Sequence, residues 1–317
     1  MSRGRVATTL LLVVVAWVTA VALAGGGESN DDRRRAAGPE PRPAVTPDAG
    51  TAPTIRPNPL AVEMPAAGPP LRLRLRPPPR AGILFDVETG EVLWAHRPEK
   101  RAPIASLTKM MTALVIAERH RARERVLITP QATGFAGSGI GLLPEGRRVP
   151  LGPLLYGLML VSGNDAAIAL AQHDAGGQKA FVARMNARAR RLGLSCTRFS
   201  SPSGILDRGN WSCPLDLATL ARLDLRNRWV ARIIGARRAR FRFPVKGGVL
   251  DLFNINPFIA RGDEGVTGVK TGLTSAAGRC YVITAKIGGR HLGVVLLDTL
   301  DPVRQVPRLL RAGARLG

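Results

Sequence analysis

The chain of 317 residues is poor in aromatic side chains, which make up 4% of it, and it carries only four histidines and three cysteines. With so few aromatics there is no platform for stacking on bases, and no nucleic-acid recognition motif is present, so no nucleic-acid partner is expected. The histidines, at 96, 120, 173 and 291, show no metal-ligand spacing and read as surface or hydrogen-bonded residues, so neither a metal nor a cofactor is expected. Lysine is scarce too, with six against forty arginines. Where arginine is the default cation, a lysine marks a place that needs a compact or deprotonatable ammonium.

Acidic residues number 23 against 46 basic ones, giving a net charge of +23. Of this, +2 falls on residues 1–24 and +3 on 25–80, leaving +18 on the remainder. Such an excess favours polyanions, and for an exported chain these are anionic cell-envelope polymers or lipid head groups.

Charge is absent from Val6 to Ala24, an apolar run preceded by Arg3 and Arg5 and ending Ala22-Leu23-Ala24-Gly25. This pattern fits a signal peptide with a small-residue cleavage site, and its length also allows an N-terminal membrane anchor. Either way the rest of the chain is placed outside the cytoplasm. No lipid-accepting cysteine follows the run. Residues 25–79 are rich in Pro, Ala, Gly and Arg with almost no aromatic residue. Unable to bury a core, they are expected to be a disordered linker. Within them Leu71-Arg72-Leu73-Arg74-Leu75-Arg76 alternates with period two, as a short strand would, or forms a basic linker end stopped by Pro77-Pro78-Pro79.

Residues 80–317 have the length and pattern of one globular domain. Strands are expected over 81–87 and 91–95 around the turn Glu88-Thr89-Gly90, and over 280–287 and 291–297 around Gly288-Gly289. Helical spacing runs from Ser106 onward and over 151–161, 165–173, 178–192, 214–225 and 301–314. Strands at both ends with helices between imply an α/β (α+β) domain: one antiparallel sheet flanked by helices, with an adjoining helical lobe.

The chemistry centres on Ala105-Ser106-Leu107-Thr108-Lys109. Ser106 and Lys109 are three residues apart, so one helical turn sets them on one face as a nucleophile and its base. The neighbours Leu107, Met110, Met111, Leu114 and Val115 predict a buried helix, where burial disfavours the ammonium form of Lys109. Downstream come Ser162-Gly163-Asn164 and Lys270-Thr271-Gly272. The order S-x-x-K, S-x-N, K-T-G resembles the signature of penicillin-binding proteins and serine β-lactamases. From about Ala81 to the C-terminus the chain is similar to low-molecular-mass penicillin-binding proteins of the D-alanyl-D-alanine carboxypeptidase type. That family's third motif continues with a bulky residue, Thr and then Ala-Gly-x-Cys, and here Leu273-Thr274-Ser275-Ala276-Ala277-Gly278-Arg279-Cys280 follows. Ser201-Pro202-Ser203-Gly204-Ile205 resembles the family's Asn-Pro-x-Gly-Leu turn with Ser for Asn, which puts one turn contact in doubt.

The resemblance implies the β-lactamase/transpeptidase-like fold, with the active site between sheet and lobe. It also implies that Ser106 attacks the penultimate D-alanine of a peptidoglycan stem peptide ending in D-Ala-D-Ala, releasing the last alanine, and that Lys109 is the base. Ser162 would pass a proton to the leaving amine, and Asn164 would bind substrate and Lys109. Lys270 and Thr271 would hold the substrate carboxylate, Gly272 would let it lie along the strand, and the N–H groups of Ser106 and Leu273 would form an oxyanion hole. β-Lactams would acylate Ser106 as substrate mimics. Many relatives carry a further β-rich domain and an amphipathic helix, and the residues after the closing helix are too few for either.

No glutamate lies between Glu145 and Glu264. The deacylating water of the common serine β-lactamases needs one there, so that mechanism is not expected. A D-alanyl endopeptidase, or a catalytically silent envelope-binding protein of the same fold, are the alternatives. Cys196 and Cys213 flank the Ser201 turn and are candidates for a disulfide in an oxidising compartment, while Cys280 reads as a buried small hydrophobe.

Overall fold

The computed structural model describes residues 58–316, apart from Ala136, Leu206 and Asp207. The expectations for 1–24 and for 25–57 lie outside the described residues.

Two apolar segments open the domain, β1 (Ala81–Asp86) and β2 (Val92–His96), with Gly90 at φ 84° closing the turn between them. After β3 (Ala102–Pro103) and a 3-10 turn (Ala105–Leu107) comes α1 (Thr108–Arg119), whose residues from Thr108 to Ile116 are all buried. The helical lobe follows. It comprises β4 (Arg125–Leu127), α2 (Pro130–Thr133), β5 (Arg148–Pro150), α3 (Leu151–Leu160), α4 (Asn164–Ala175), α5 (Gln178–Arg191), β6 (Trp211–Ser212), α6 (Pro214–Arg226) and α7 (Arg228–Ile234). The hairpin β7 (Arg238–Arg242) with β8 (Val249–Phe253) and the short α8 (Pro257–Ala260) lead back to the sheet. The chain then runs through β9 (Val266–Thr274), β10 (Gly278–Ile287), β11 (Arg290–Leu297) and α9 (Pro302–Ala314).

The main sheet has the order β2-β1-β11-β10-β9, with every pairing antiparallel, so the first and last strands of the domain do meet. Gly288 and Gly289 both have positive φ, as the tight turn from β10 to β11 requires. Side chains alternate between two cores. Ile83, Phe85, Val282, Val295 and Leu297 face the cluster shared with the helical lobe, while Leu84, Ile283, Ala285, Val294 and Leu296 face Val306, Leu309 and Leu310 of α9. Helix α9 starts on Asp301, whose side chain accepts the Arg304 N–H, with Pro302 in the first turn.

The reading of residues up to 79 as a disordered linker is corrected for the part from 58 onward, which is bound to the domain. The Val62 N–H donates to Thr219 Oγ1 at 3.0 Å, and Arg222 donates to the carbonyls of Ala61, Val87 and Glu88 at 3.0, 2.8 and 2.7 Å. Trp94 Nε1 donates to Leu73 O at 2.8 Å and Gln305 Nε2 to Pro77 O at 2.6 Å. Leu71, Leu73 and Leu75 pack on the α9 side of the sheet without forming a strand. A composition too poor for its own core borrows one, and its backbone partners come from α6, α9 and β2. The domain accordingly begins before residue 80.

Cys196 and Cys213 form a disulfide with Cα atoms 5.6 Å apart, joining the end of the α5 region to the start of α6. Cys280 is buried. No helix among the described residues is long and apolar enough to cross a membrane. Replacing both Cys196 and Cys213 with serine is expected to lower unfolding stability by about 3 kcal/mol, the closure entropy of a loop of this size. A fall in unfolding free energy, fitted from denaturant midpoint and slope together, is the measurement that checks it.

Candidate active site

Ser106 stands in the 3-10 turn that runs into α1, one step ahead of the helix in which it was expected. The preceding Ala105 has φ 47° and Ser162 has φ 59°, a left-handed conformation that costs non-glycine residues on the order of 1–3 kcal/mol. Ala105 takes it where Gly204 and Gly272 approach from two other segments.

Lys109 is fully buried. Its Nζ lies 3.0 Å from Ser106 Oγ, 2.8 Å from Asn164 Oδ1 and 2.7 Å from the Ser203 carbonyl oxygen. Two of these partners can only accept, and the third is a hydroxyl able to donate. The amine donates to all three oxygens when charged, and once neutral it can keep its two bonds to the carbonyl oxygens and turn its lone pair to the Ser106 O–H. Burial holds Lys109 well below the ordinary lysine range, the charge of Lys270 pushes the same way, and Asp165 opposes them.

Each arm of this cage has its own local cause. Asn164 is the first residue of α4, fixed by its N–H to Ser138 O at 2.9 Å. The Asp165 carboxylate accepts the Ile140 and Gly141 N–H groups, both at 2.9 Å, tying the loop from Ser138 to the start of α4. In the turn after α5, Ser201 Oγ accepts the Gly204 N–H at 2.9 Å, a bond across the turn made by the serine that stands where the family pattern has asparagine. Gly204, at φ 77°, touches the Ala105 backbone so closely that a Cβ there would overlap the Ala105 carbonyl. Thr112 Oγ1 donates to Pro202 O at 2.7 Å and pins the same turn to α1.

On the sheet side, β9 is an edge strand whose partner-free edge passes the Ser106 turn. A Cβ on Gly272 would sit 3.0 Å from both Ile104 O and Ser106 N, so a side chain there would push the strand and the Ser106 turn apart by a few tenths of an ångström. Lys270 is buried, donates to the Thr271 carbonyl at 2.9 Å, and is pulled by burial from 10.5 to about 7.

These segments meet at a cavity of about 430 Å³. Ser106, Ser162, Thr271, Gly272 and Leu273 line it, while Lys109, Asn164 and Lys270 are buried behind that lining. Ser138, Ile255, Pro257, Arg279 and Tyr281 also line it and were given no role from sequence. For Arg279 a signal existed: β10 pairs it with Leu273, so it flanks the third motif by register. The arrangement suits attack by an activated hydroxyl on an extended substrate lying along β9.

Residues 78–300 match the family described as D-alanyl-D-alanine carboxypeptidase, peptidase S11. The chain belongs to this family. It is 32% identical over 228 residues to D-alanyl-D-alanine carboxypeptidase DacF of Bacillus subtilis, covering 70% of this chain and 58% of that protein. It is also 32% identical over 223 residues to the D-alanyl-D-alanine endopeptidase of Escherichia coli, covering 69% and 70%. The crystal structure of the Streptomyces K15 DD-transpeptidase superposes with a TM-score of 0.69 at 30% identity, covering 75% of this chain and 97% of that one. The chain therefore spans just over half of the DacF-type relative, and the antiparallel sheet with its helical lobe is the fold of this family's penicillin-binding neighbours.

At the opposite ends of α1 and α4 from the cavity, His120 and His173 lie with their ring centroids 4.9 Å apart and share Glu124. Chain spacing concealed this group because its members come from two helices and a loop.

Lys270 binds fewer protons folded than unfolded between pH 7 and 10.5, so it makes stability rise with pH across that window. Lys270→Met is expected to flatten the rise relative to the parent chain, as read from denaturant midpoints at a series of pH values.

Proposed function

We propose that the chain is a serine-type D-alanyl-D-alanine carboxypeptidase acting outside the cytoplasm on peptidoglycan stem peptides. The observation that carries this reading is the three-oxygen cage around the Lys109 amine, one arm of which is Ser106 Oγ at 3.0 Å. Lys109 takes the Ser106 proton as Oγ attacks the carbonyl carbon of the penultimate D-alanine. The negative charge that develops on the carbonyl oxygen is stabilised by the backbone N–H groups of Ser106 and Leu273. Ser162, at the cavity wall, relays a proton to the leaving D-alanine amine, and water then hydrolyses the ester on Ser106. Asn164 orients Lys109 and the substrate.

Lys270 and Thr271 receive the terminal carboxylate. A lysine drawn down to about 7 is well matched to that carboxylate. Near neutral pH the Lys270 ammonium of the free site is only partly populated, and the arriving carboxylate raises that fraction. Gly272 leaves the edge of β9 open for an extended peptide. β-Lactams acylate Ser106 in place of the peptide. The match to the Escherichia coli endopeptidase over 69% of this chain supports cross-link cleavage at the same site as a second reading. The net charge of +23 supports retention on anionic envelope polymers or lipids.

Incubating the chain with a stem pentapeptide and weighing the products tests the primary reading. Loss of one alanine is expected, whereas an unchanged pentapeptide together with conversion of a cross-linked dimer into its two monomers would assign the endopeptidase. Ser106→Ala is expected to abolish labelling by a fluorescent penicillin, and Lys109→Ala to slow acylation by about 100-fold or more. Ser106-independent labelling would overturn the assignment. The acid limb of the acylation rate is expected to follow deprotonation of Lys109. Removing the like charge in Lys270→Ala should therefore move that limb to higher pH, even as the plateau rate falls.

A further inference from the structure

His120 follows the last residue of α1, His173 lies in the last turn of α4, and Glu124 is in the loop before β4. His120 Nδ1 is 2.7 Å from Glu124 Oε2, His173 Nε2 is 3.1 Å from the same oxygen, and the donor atoms all fall within 4.8 Å of one another. Two further observations bear on what this group can hold. The first is the other ring nitrogen of His120. Its Nε2 lies 2.9 Å from Asp174 Oδ1, and the Asp174 side chain is wholly buried and receives Arg119 Nε and Arg184 Nη1, each at 2.6 Å. A carboxylate held by two guanidinium groups accepts, so Nε2 carries hydrogen, and in the neutral ring Nδ1 turns its lone pair toward Glu124. Two acceptors 2.7 Å apart need a proton or a cation between them. The second is position: both helices present their C-terminal, partially negative ends to the cluster, which favours a cation there.

We propose that His120, Glu124 and His173 bind one divalent transition-metal ion of the zinc class, with Asp174 as the positioning residue that orients His120. Two imidazoles and one carboxylate leave the fourth position of a tetrahedron open to water. Donor atoms bonded at zinc distances stand about 3.3 Å apart, so the pairs now at 2.7 and 3.1 Å need to open only slightly. Calcium and magnesium prefer oxygen donors, whereas imidazole selects transition metals. The carboxylate–histidine pair made by Asp174 is the outer support such ligands use. The side chains of His120 and His173 are 15% and 20% exposed, sheltered yet reachable from solvent. The ion would clamp α1 to α4 at the ends remote from Ser106 and Asn164, about 18 Å away along helices of this length. Its effect would thus fall on stability and not on the reacting groups.

The untagged full chain, stripped by a chelator and titrated with zinc chloride in a calorimeter, tests the site, with native mass spectrometry counting the ions. One Zn²⁺ per chain is expected, accompanied by a rise in Tm that EDTA reverses. His173→Ala and His173→Gln should each weaken binding at least tenfold. Asp174→Asn should weaken it by about 10- to 100-fold, and His96→Ala should leave it unchanged. Circular dichroism of each metal-free variant against the metal-free parent separates lost ligation from lost folding. Absence of saturable binding, or one-to-one binding that survives both His173 substitutions in folded protein, would overturn the proposal.

Discussion

A single amine, removed from water and surrounded by three oxygens, sets the terms for the rest of this structure. An ammonium buried without a carboxylate partner is costly, and the domain meets that cost by supplying carbonyl acceptors that suit the neutral form. The acceptors come from the start of α4 and from the turn after α5, so the Lys109 environment exists only when three distant segments are docked. The close fit of Gly204 against Ala105 and the bond from Thr112 to Pro202 serve the same docking, as does the bond from Asn164 to Ser138. Left-handed backbone at Ala105 lies at one of these junctions, where Gly204 packs against it.

The sheet contributes a second constraint. An edge strand is normally a hazard, since its unpaired groups recruit other chains. Here the edge of β9 is placed against the Ser106 turn and bordered by the hairpin end at Leu273 and Arg279, so the unpaired groups face a cavity of limited size. Gly272 sets the spacing between strand and nucleophile, and any larger residue would separate them. Lys270 at the middle of this strand adds a like charge to the burial that lowers Lys109 behind the serine, and burial lowers Lys270 itself.

The segment from residue 58 to 79 illustrates how a stretch with no core of its own becomes part of one. Its leucines occupy the face of the sheet covered by α9, and Arg222, Gln305 and Trp94 meet its backbone. The same borrowing explains the cluster of His120, Glu124 and His173, where two helix ends and one loop bring together side chains that have no relation in local sequence.

What could be learned from the amino-acid order was what depends on neighbours a few residues apart. Alternation and helical spacing located the terminal strands and the helices α3, α4, α5, α6 and α9 to within one or two residues. The three short motifs identified Ser106, Lys109, Ser162, Asn164, Lys270, Thr271, Gly272 and Leu273, which the fold gathers at one cavity or just behind it. The hairpin β7–β8, the attachment of residues 58–79, the wall residues Ser138, Ile255, Pro257 and Tyr281, and the pairing of His120 with His173 were decided by tertiary structure alone, and the Cys196–Cys213 bridge that the sequence offered as a candidate was closed by it. The attachment, the wall and the histidine pair depend on contacts between segments tens of residues apart, while the hairpin and the disulfide close shorter loops whose geometry the surrounding packing fixes. Local periodicity carries no record of such contacts, because they are set by how whole elements pack and which backbone groups are left needing a partner.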